Sequence, residues 1–367
     1  MKWVSLADSW RLDNGVISDT EKKISQLGLA KSSAVLHKAG TVIMSRDAGV
    51  GKSAVLGEEM AVSQHFIAWE CTKKDILDPW FLYHWLQVRK EFFERMAVGS
   101  TIKTIGLPLF KRLTIDFPPL DEQRKLAEVL RTWDEAIEKL QALRGAKARL
   151  LDGLRARLLF GSLRMHDRER KWVQRRLADV THELTARNSG NSLSREAVMG
   201  VTKAQGVVPM REQTIAGDIS RYKRLPPRAF AYNPMRINVG SIAMNERGEE
   251  VLVSPDYVVF ACDDDGLDPD YLDHLRKTPW WTHYISSGAS GSVRMRTYYD
   301  DLAALKLPLP DLDEQRDIAR ILNTARDNLA LTEREIDALK RQKRGLMQKL
   351  LTGEWRVNGG VERRRAI

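Results

Sequence analysis

Apolar positions recur at alternating spacings of four and three along two long stretches of this chain. In the later stretch the repeating positions are Ala325, Leu329, Thr332, Ile336, Leu339, Lys343, Leu346 and Leu350. In the earlier stretch they are Trp133, Ile137, Leu140, Arg144, Lys147, Leu151, Leu154 and Leu158. This is the heptad pattern of a coiled coil, so each stretch is predicted to form a long helix. The shared length and register of the two seams favour mutual pairing over two amphipathic helices that pack on separate domains.

The two stretches belong to an internal repeat. The segment "FPPLDEQRKLAEVLRTWDEAIEKL" begins at Phe117, and its counterpart "LPDLDEQRDIARILNTARDNLALT" begins at Leu309, 192 residues later. The alignment continues without a gap through Gly161 and Gly353, which fit the position just past a helix C-terminus. A repeat of this length predicts a chain built from two related halves.

Shorter similarities precede each predicted helix. The segment "LDPWFLYHW" from Leu77 resembles "LDPDYLDHL" from Leu267, and "AVSQHFIAWEC" resembles "LVSPDYVVFAC" in its spacing of serine, aromatic residue and cysteine. Alternation before Cys71 is typical of a strand, so Cys71 and Cys262 are predicted to be equivalent residues in buried strands. Two cysteines are too few for a disulfide framework or a thiolate zinc site.

The repeat predicts an α+β protein in which two mixed α/β domains are separated by two long helices that form an antiparallel coiled coil. The predicted segments are a first domain (1–116), a first spacer helix (117–163), a linker (164–171), a second domain (172–308), a second spacer helix (309–356) and a basic tail (357–367). Asp121 and Asp313 are expected as helix N-caps. The first domain is shorter, and it is expected to lack most of the counterpart of residues 181–206.

The charge balance points to an anionic partner. Lys and Arg number 59 against 49 Asp and Glu, which leaves a formal charge of +10, and nucleic acid is the commonest partner of such a chain. The alternative is a basic enzyme without a polymeric partner. The start, "MKWVSLADSW", has no apolar core of signal-peptide length, and no run reaches the roughly 18 apolar residues that span a membrane, so a cytoplasmic protein is expected.

The segment "SRDAGVGKSAVLG" contains the Gly-Lys-Ser of a phosphate-binding loop. That loop needs a glycine five residues before Gly51, where this chain has Arg46. In the second half Gly240 and Ser241 stand where the first half has Gly51 and Lys52, so the glycine is shared and the lysine is not. The pattern therefore favours a turn between strands over a nucleotide site.

Other candidate chemistry is weaker. The segment "AYNPMR" from Ala231 resembles the Asn-Pro-Pro-aromatic motif of adenine methyltransferases, but it has Met235 in place of the second proline. The histidines show no paired ligand spacing, and His84 and His274 are repeat equivalents on predicted helices, which indicates a structural role. No catalytic residue and no metal ligand is predicted.

Basic and polar residues in or beside predicted loops are the remaining candidates. Basic side chains suit phosphate contacts, and polar ones can read base edges. The predicted DNA-binding residues are Arg46, Lys52, Ser53, Gln64, Lys103, Lys111, Arg236, Asn238, Ser241, Asn245, Arg247, Arg294 and Arg296. Each taken singly is more often a solvated surface group, but as a set they suit two nucleic-acid-reading modules.

The two "LDEQR" helices, each preceded by a proline-rich "FPPL" or "LPLPDL" and ending "LLFG" or "LLTGEWRV", resemble the specificity subunits of type I restriction-modification systems. The segments "GTVIMSRDAGVGKSAVLGEEMAVSQ" and "NGVISDTEKKISQLGLAKSSAVL" are also similar to the first target-recognition domain of that family. The resemblance covers nearly the whole chain, and the helical repeats are its most specific part.

The resemblance implies a non-catalytic scaffold whose two target-recognition domains each read one half of a split DNA sequence. It implies two methyltransferase subunits as partners, and two ATP-driven motor-nuclease subunits that can join them. S-adenosylmethionine, ATP and magnesium are then expected on those partners and no cofactor on this chain. The alternatives are a stand-alone DNA-binding regulator and a P-loop ATPase.

The helical seam has a length that suits this function. From Leu322 to Leu350 it extends about 42 Å at ~1.5 Å per residue, which corresponds to roughly 12 base pairs. In an antiparallel pair of equal registers, Lys343 is expected at the level of Leu140 and Lys147 at the level of Ile336. Such polar seam residues are expected to help set the register of the helices.

Overall fold

The computed structural model describes residues 1–71, 76–164, 171–287, 296–356 and 364–366. The chain divides into two compact units: unit 1 is Met1–Ala142 with Glu333–Ile367, and unit 2 is Leu143–Thr332. Both contain helices and sheets, so the predicted α+β class is confirmed. This division assigns part of each predicted spacer helix to each unit. Most of the predicted linker and tail lies outside the described residues.

Unit 1 holds two four-stranded sheets and a short strand pair. Its strands are β1 (Lys2–Val4), β2 (Val16–Ile17), β3 (Lys22–Lys23), β4 (Val35–His37), β5 (Val42–Ser45), β6 (Ser53–Leu56), β7 (Met60–Val62), β8 (Phe66–Trp69), β9 (Ile115–Phe117) and β20 (Arg364–Ala366). The sheet orders are β3-β1-β7-β4 and β2-β6-β5-β8, and β20 pairs antiparallel with β9. Strands β5, β6 and β7 are buried along their whole length, as expected of short apolar runs.

The shorter helices of unit 1 pack against these sheets. They are α1 (Gln26–Ala30), α2 (Pro79–Val88), α3 (Lys90–Met96) and α4 (Leu107–Lys111). Helix α2 begins where the Asp78 carboxylate accepts the N–H groups of Trp80 and Phe81, both at 2.9 Å, with a proline at the first helical position. It buries six consecutive residues, from Phe81 to Leu86, in the core of the unit.

Unit 2 has a similar set of strands. They are β10 (Val173–Arg176), β11 (Thr181–Glu183), β12 (Val198–Thr202), β13 (Gly206–Pro209), β14 (Lys223–Leu225), β15 (Phe230–Tyr232), β16 (Ile242–Met244), β17 (Val251–Val253), β18 (Val258–Cys262) and β19 (Lys306–Leu309). The sheet orders are β11-β18-β15-β16 and β13-β12-β17-β14, and β10 pairs with β19. At the centre of the core, the rings of Phe230 and Phe260 stack with centroids 5.2 Å apart.

The expectation that the first domain lacks most of the counterpart of residues 181–206 stays a prediction, but one sheet of unit 1 supplies strands that match the end of that segment. The order β13-β12-β17-β14 contains a parallel central pair and two antiparallel flanking pairs. The order β3-β1-β7-β4 has the same pattern, so β1 and β3 take the places of β12 and β13. The sequence comparison missed them because they are only three and two residues long and lie at a different spacing.

The remaining helices of unit 2 are α6 (Pro269–Leu275), α7 (Pro279–Ser287) and α8 (Tyr299–Ala303). Helix α6 repeats the start of α2, because the Asp268 carboxylate accepts the N–H of Tyr271 at 3.0 Å. Cys262 lies at the end of β18, as predicted, whereas Cys71 lies two residues past the end of β8 and so is not in a strand; both are buried and have free thiols. Burial raises the pKa of the Cys71 thiol to about 12.

The two long helices are α5 (Leu120–Leu158) and α9 (Leu312–Thr352). In unit 1, Leu126 and Leu130 of α5 share a buried cluster with Met347, Leu350 and Leu351 of α9. In unit 2, α5 and α9 again share a buried cluster; its members from the two helices include Leu151, Leu158, Ile318 and Leu322. Within each unit, residue numbers rise along α5 as they fall along α9, so the predicted antiparallel packing is confirmed.

The predicted seam residues face inward except Arg144, which is exposed. Ile137, Leu151, Leu158, Ile336 and Leu350 are buried. Trp133, Leu140, Leu154, Ala325, Leu329, Leu339 and Leu346 are half-buried. The seam pattern therefore predicts which face of each helix is covered.

The expected pairing level of the seam lysines is wrong. Lys343 forms an ion pair with Asp134, six residues from Leu140. Lys147 donates to the hydroxyl of Thr332 at 2.9 Å, four residues from Ile336. A heptad pattern matches itself at several offsets, so the pairing level depends on what anchors the helix ends and not on the seam.

The helix starts differ from the expected caps. Asp121 and Asp313 lie inside the first turns, and the N–H of Glu314 is accepted by the Asp311 carboxylate at 2.9 Å. Each helix therefore begins at the leucine before the predicted cap, Leu120 in α5 and Leu312 in α9. At the other ends, Gly161 and Gly353 have φ angles of 71° and 76°, the left-handed conformation expected just past a helix.

Candidate nucleic-acid interface

The loop between β5 and β6 in unit 1 is a closed turn. Gly51 has a φ angle of 84°, its N–H donates to the Ser45 carbonyl at 3.0 Å, and the N–H of Lys52 donates to the Gly49 carbonyl at 3.2 Å. A Cβ on Gly51 would lie 3.1 Å from Cγ of Lys90. Because these N–H groups already have acceptors within the loop, they do not form the phosphate cradle of a nucleotide-binding loop. The interpretation of Gly51 as a turn residue agrees with this geometry.

Lys52 lies half-buried at the end of this turn. Its Nζ donates to the Ser9 carbonyl at 3.2 Å, and its stem covers Gly49, where a Cβ would lie 3.5 Å from Cδ of the lysine. The preceding Arg46 is also half-buried, and its N–H donates to the carbonyl of His65. His65 in turn binds the Asp47 carboxylate through Nδ1 at 2.7 Å.

A second loop, between α3 and α4, is attached to this turn. The backbones of Val98 and Thr104 exchange two hydrogen bonds of 3.0 and 2.9 Å, which close residues 98–104 into a loop. The N–H of Ile105 donates to the Arg46 carbonyl at 2.9 Å, and Asp47 forms an isolated β-bridge with Thr104. The two loops therefore form one connected surface of unit 1.

The surroundings of the second loop are cationic. Residues 95–112 contain four basic side chains and no carboxylate, and all four are exposed: Arg95, Lys103, Lys111 and Arg112. Gln64, beside the first loop, is also exposed. These exposed cations outnumber the adjacent carboxylates of Glu94 and Asp47, and such an excess of positive charge suits contact with a phosphate backbone.

Unit 2 repeats the arrangement. The loop between β15 and β16 contains Arg236 and Asn238, both exposed, and ends at Gly240, whose φ angle is 90°. The N–H of Thr297 donates to the Pro234 carbonyl at 3.1 Å, which attaches the segment before α8 to this loop. Arg296 in that segment is exposed, and the exposed side chain of Arg247 lies past the end of β16.

The β12–β13 turn adds two residues that sequence reasoning missed. The stem of Lys203 packs on Gly240, where a Cβ would lie 3.1 Å from the lysine Cγ, and Gln205 is exposed in the same turn. Lys203, Gln205, Asn238 and Arg247 line one cleft of about 500 Å³. The sequence signal that could have indicated this packing is the shared glycine, Gly240. It has no Cβ, which leaves room for the side chain of a neighbouring residue.

Three predicted contact residues are corrected by their burial. The Ser53 hydroxyl accepts a hydrogen bond from Gln87, and the Ser241 hydroxyl donates to the Val201 carbonyl at 3.0 Å. The amide of Asn245, which is fully buried, donates to two backbone carbonyls at 3.0 Å. These side chains organise the protein interior, and their groups are unavailable to DNA.

The other predicted residues remain on the surface. Gln64, Lys103, Lys111, Arg236, Asn238, Arg247 and Arg296 are exposed, and Arg46 and Lys52 are half-buried. Arg294 lies outside the described residues. Within each unit, the structure brings the exposed residues of two or more loops together, although they are far apart in sequence.

The two equivalent histidines are structural. His84 is fully buried, and its Nε2 lies 4.0 Å from Oδ2 of Asp134. Burial, followed by the charges of Lys343 and Arg131, lowers the pKa of His84 to about 3. The Nε2–H of His274 donates to Oδ1 of Asn323 at 2.9 Å, and burial lowers the pKa of His274 to about 4. Among the described residues, no cluster of three or more histidine, cysteine and acidic side chains could hold a metal ion.

Comparison with known proteins identifies the family. Residues 9–145 and 230–341 match the family described as "Type I restriction modification DNA specificity domain". The chain belongs to this family. The helices of the part of the chain that the structure describes include none long and apolar enough to cross a membrane.

Individual members of the family are similar over most of the chain. The type I restriction enzyme MjaVIII specificity subunit of Methanocaldococcus jannaschii is 21% identical over 84% of this chain and 76% of its own length. The putative MjaX specificity subunit of the same organism is 22% identical over 77% of this chain and 70% of its own length. The crystal structure of the S subunit of the type I restriction-modification system of M. genitalium is similar in fold, with a TM-score of 0.58, 15% identity, and coverage of 91% of this chain and 87% of that one.

Proposed function

We propose that this protein reads a bipartite DNA target, one half with each unit, and thereby directs methylation and restriction by partner subunits. The observation that carries the proposal is the loop pair present in both units. In each, the loop after the central sheet strand is hydrogen-bonded to the segment before a short helix, and both parts carry basic residues. Those on the β5–β6 loop of unit 1, Arg46 and Lys52, are half-buried, and the others are exposed. A DNA specificity family and a formal charge of +10 agree with a polyanionic ligand.

We assign different roles to the basic and the amide side chains. The exposed basic residues would bind phosphate oxygens and so position each unit on the duplex. They are Lys103, Lys111, Lys203, Arg236, Arg247 and Arg296. Gln64, Gln205 and Asn238 carry amides, which can pair with the N6 and N7 groups of adenine in the major groove.

The catalytic chemistry is proposed to belong to partner subunits. Two methyltransferase subunits would carry S-adenosylmethionine, and two ATP-dependent motor-nuclease subunits that use magnesium would add restriction. This chain would then contribute recognition without a catalytic group or cofactor of its own. Since its proposed substrate is cellular DNA, we place it in the cytoplasm.

The test is methylation by the complex with its methyltransferase subunit. The complex is incubated with a library of random duplexes, and modified molecules are sequenced. We expect a motif in two parts with an unspecified gap. Methylation without sequence preference, or a single continuous motif, would contradict the proposal.

A further inference from the structure

The loop of residues 98–104 in unit 1 displays two apolar side chains at its surface. Val98 is 73% exposed and Ile102 is 58% exposed. We infer that these two side chains contact the 5-methyl group of a thymine in the DNA half-site that unit 1 reads. The inference rests on the proposed function and adds one base-specific contact to it.

The loop is held in one shape before any ligand binds. The paired hydrogen bonds between Val98 and Thr104 close it, and the bond from Ile105 to the Arg46 carbonyl attaches it to the turn after β5. Gly99 has a φ angle of 127°, and a Cβ there would lie 2.3 Å from the Ile102 carbonyl oxygen, so only glycine fits. A preformed loop does not lose further backbone entropy on binding, which favours a recognition role.

The charge around the loop selects the partner. Four exposed cations lie between residues 95 and 112, against the neighbouring carboxylates of Glu94 and Asp47, and Lys103 is next to Ile102. An apolar protein surface would gain nothing from this excess of positive charge. A duplex offers phosphates for the cations and, in the major groove, one apolar group on the base edges, which is the thymine methyl.

The shape of the side chains favours a methyl contact over a wedge between base pairs. Wedges are single large side chains that unstack a base step. Val98 and Ile102 are short, branched at Cβ and four positions apart on a closed loop. They suit a broad, shallow contact on the outside of the base stack.

The experiment replaces thymine by uracil, which lacks only the methyl group. Once the target of the methyltransferase complex is known, each thymine in both half-sites is replaced singly, and binding is measured at fixed salt. We expect uracil at one position of one half-site to weaken binding about fourfold, the value for losing one buried methyl-sized contact. The Val98→Ala/Ile102→Ala variant should bind both duplexes equally, because the contact is already absent.

Val35→Ala is the matched control, since Val35 is 54% exposed in the same unit but lies in β4. It should keep the full uracil effect. Tolerance of uracil at every position by the unmodified complex would overturn the inference, and this measurement needs no variant to fold. Uracil sensitivity that persists in the double variant, or a double variant that instead loses the methyltransferase subunit, would also overturn it. Absence of any sequence preference would instead refute the proposed function.

Discussion

The side-chain oxygen of Gln123 accepts the backbone N–H of Asp78 at 2.8 Å, and Gln315 accepts that of Asp268 at 2.9 Å. Asp78 and Asp268 are the N-caps of α2 and α6, so the glutamine of each LDEQR motif attaches a long helix to the cap of a neighbouring one. The Gln123 amide also donates to the carbonyls of Ile76 and Pro118. This anchor explains why the motif recurs in both halves.

Replacing the anchor should destabilise the unit that contains it. In Gln123→Ala, one half-buried N–H and two carbonyls lose their partner, which should lower the free energy of unfolding by about 1–3 kcal/mol. The effect is measured by urea denaturation. Gln342→Ala, at an exposed position of α9, is the matched control and should change stability by less than about 0.5 kcal/mol. Equal effects of the two substitutions would show that the anchor contributes nothing.

Substitution by alanine should lower the stability of the protein at Gly51 and raise it at Gly153. Gly51→Ala forces a left-handed conformation on a residue with a Cβ, which should cost about 1–2 kcal/mol. The close approach to Lys90 adds to this cost. Gly153 lies within α5 with nothing within 4 Å of a Cβ, so Gly153→Ala should raise stability by about 0.5–1 kcal/mol. Thermal unfolding of both variants tests the pair, and a stabilising Gly51→Ala would refute the turn interpretation.

Acid should destabilise unit 1 partly through His84. Its pKa is about 3 in the folded protein against 6.5 as the ordinary value, so between these values the unfolded chain binds more protons. The neutral, buried His84 therefore makes its full contribution to the stability of the folded protein above pH 6.5. Below pH 6.5 this contribution falls by up to ~1.4 kcal/mol per pH unit. We expect the stability of His84→Gln relative to the unmodified protein to rise as pH falls from 7 to 5.

The control for this titration is Gln342→Ala, because Gln342 is exposed on α9 and carries no titratable group. Its stability difference from the unmodified protein should not change over the same pH range. A constant difference for His84→Gln between pH 7 and 5 would contradict the assigned burial effect.

Removing a phosphate contact should change the salt dependence of DNA binding. Lys103→Ala in the methyltransferase complex should weaken binding to all sequences alike and reduce the slope of log affinity against log salt by about 0.9. Lys38→Ala, an exposed lysine outside both loops, should leave the slope unchanged. A sequence-dependent loss on Lys103→Ala would instead indicate contact with a base edge.

The proposed function also predicts an effect of helix length. Seven residues inserted at matched positions of α5 and α9 preserve the heptad seam and add about 10 Å at ~1.5 Å per residue. The gap in the methylated motif should then lengthen by about three base pairs. Sequencing of methylated random duplexes measures the gap, and insertion in one helix alone should abolish specific methylation. An unchanged gap would show that the helices do not set the spacing.

The sequence alone determined the repeat, the two long helices and their inward faces, because heptad spacing and an ungapped motif are local properties. It also predicted the turn at Gly51, since a shared glycine and an unshared lysine exclude a nucleotide site without any coordinates. The family followed from the same motifs, and the match to the DNA specificity family confirms it.

Tertiary structure decided the pairing level of the helices and the membership of the candidate interface. Lys343 meets Asp134 and not the level of Leu140, because a periodic seam fits at several offsets until other contacts anchor the helix ends. Ser53, Ser241 and Asn245 have polar side chains that suit DNA, yet backbone and side-chain partners distant in sequence bury them. Lys203 joins Asn238 for the converse reason, since strand pairing brings separate loops together. Burial and proximity depend on long-range packing, which no local pattern records.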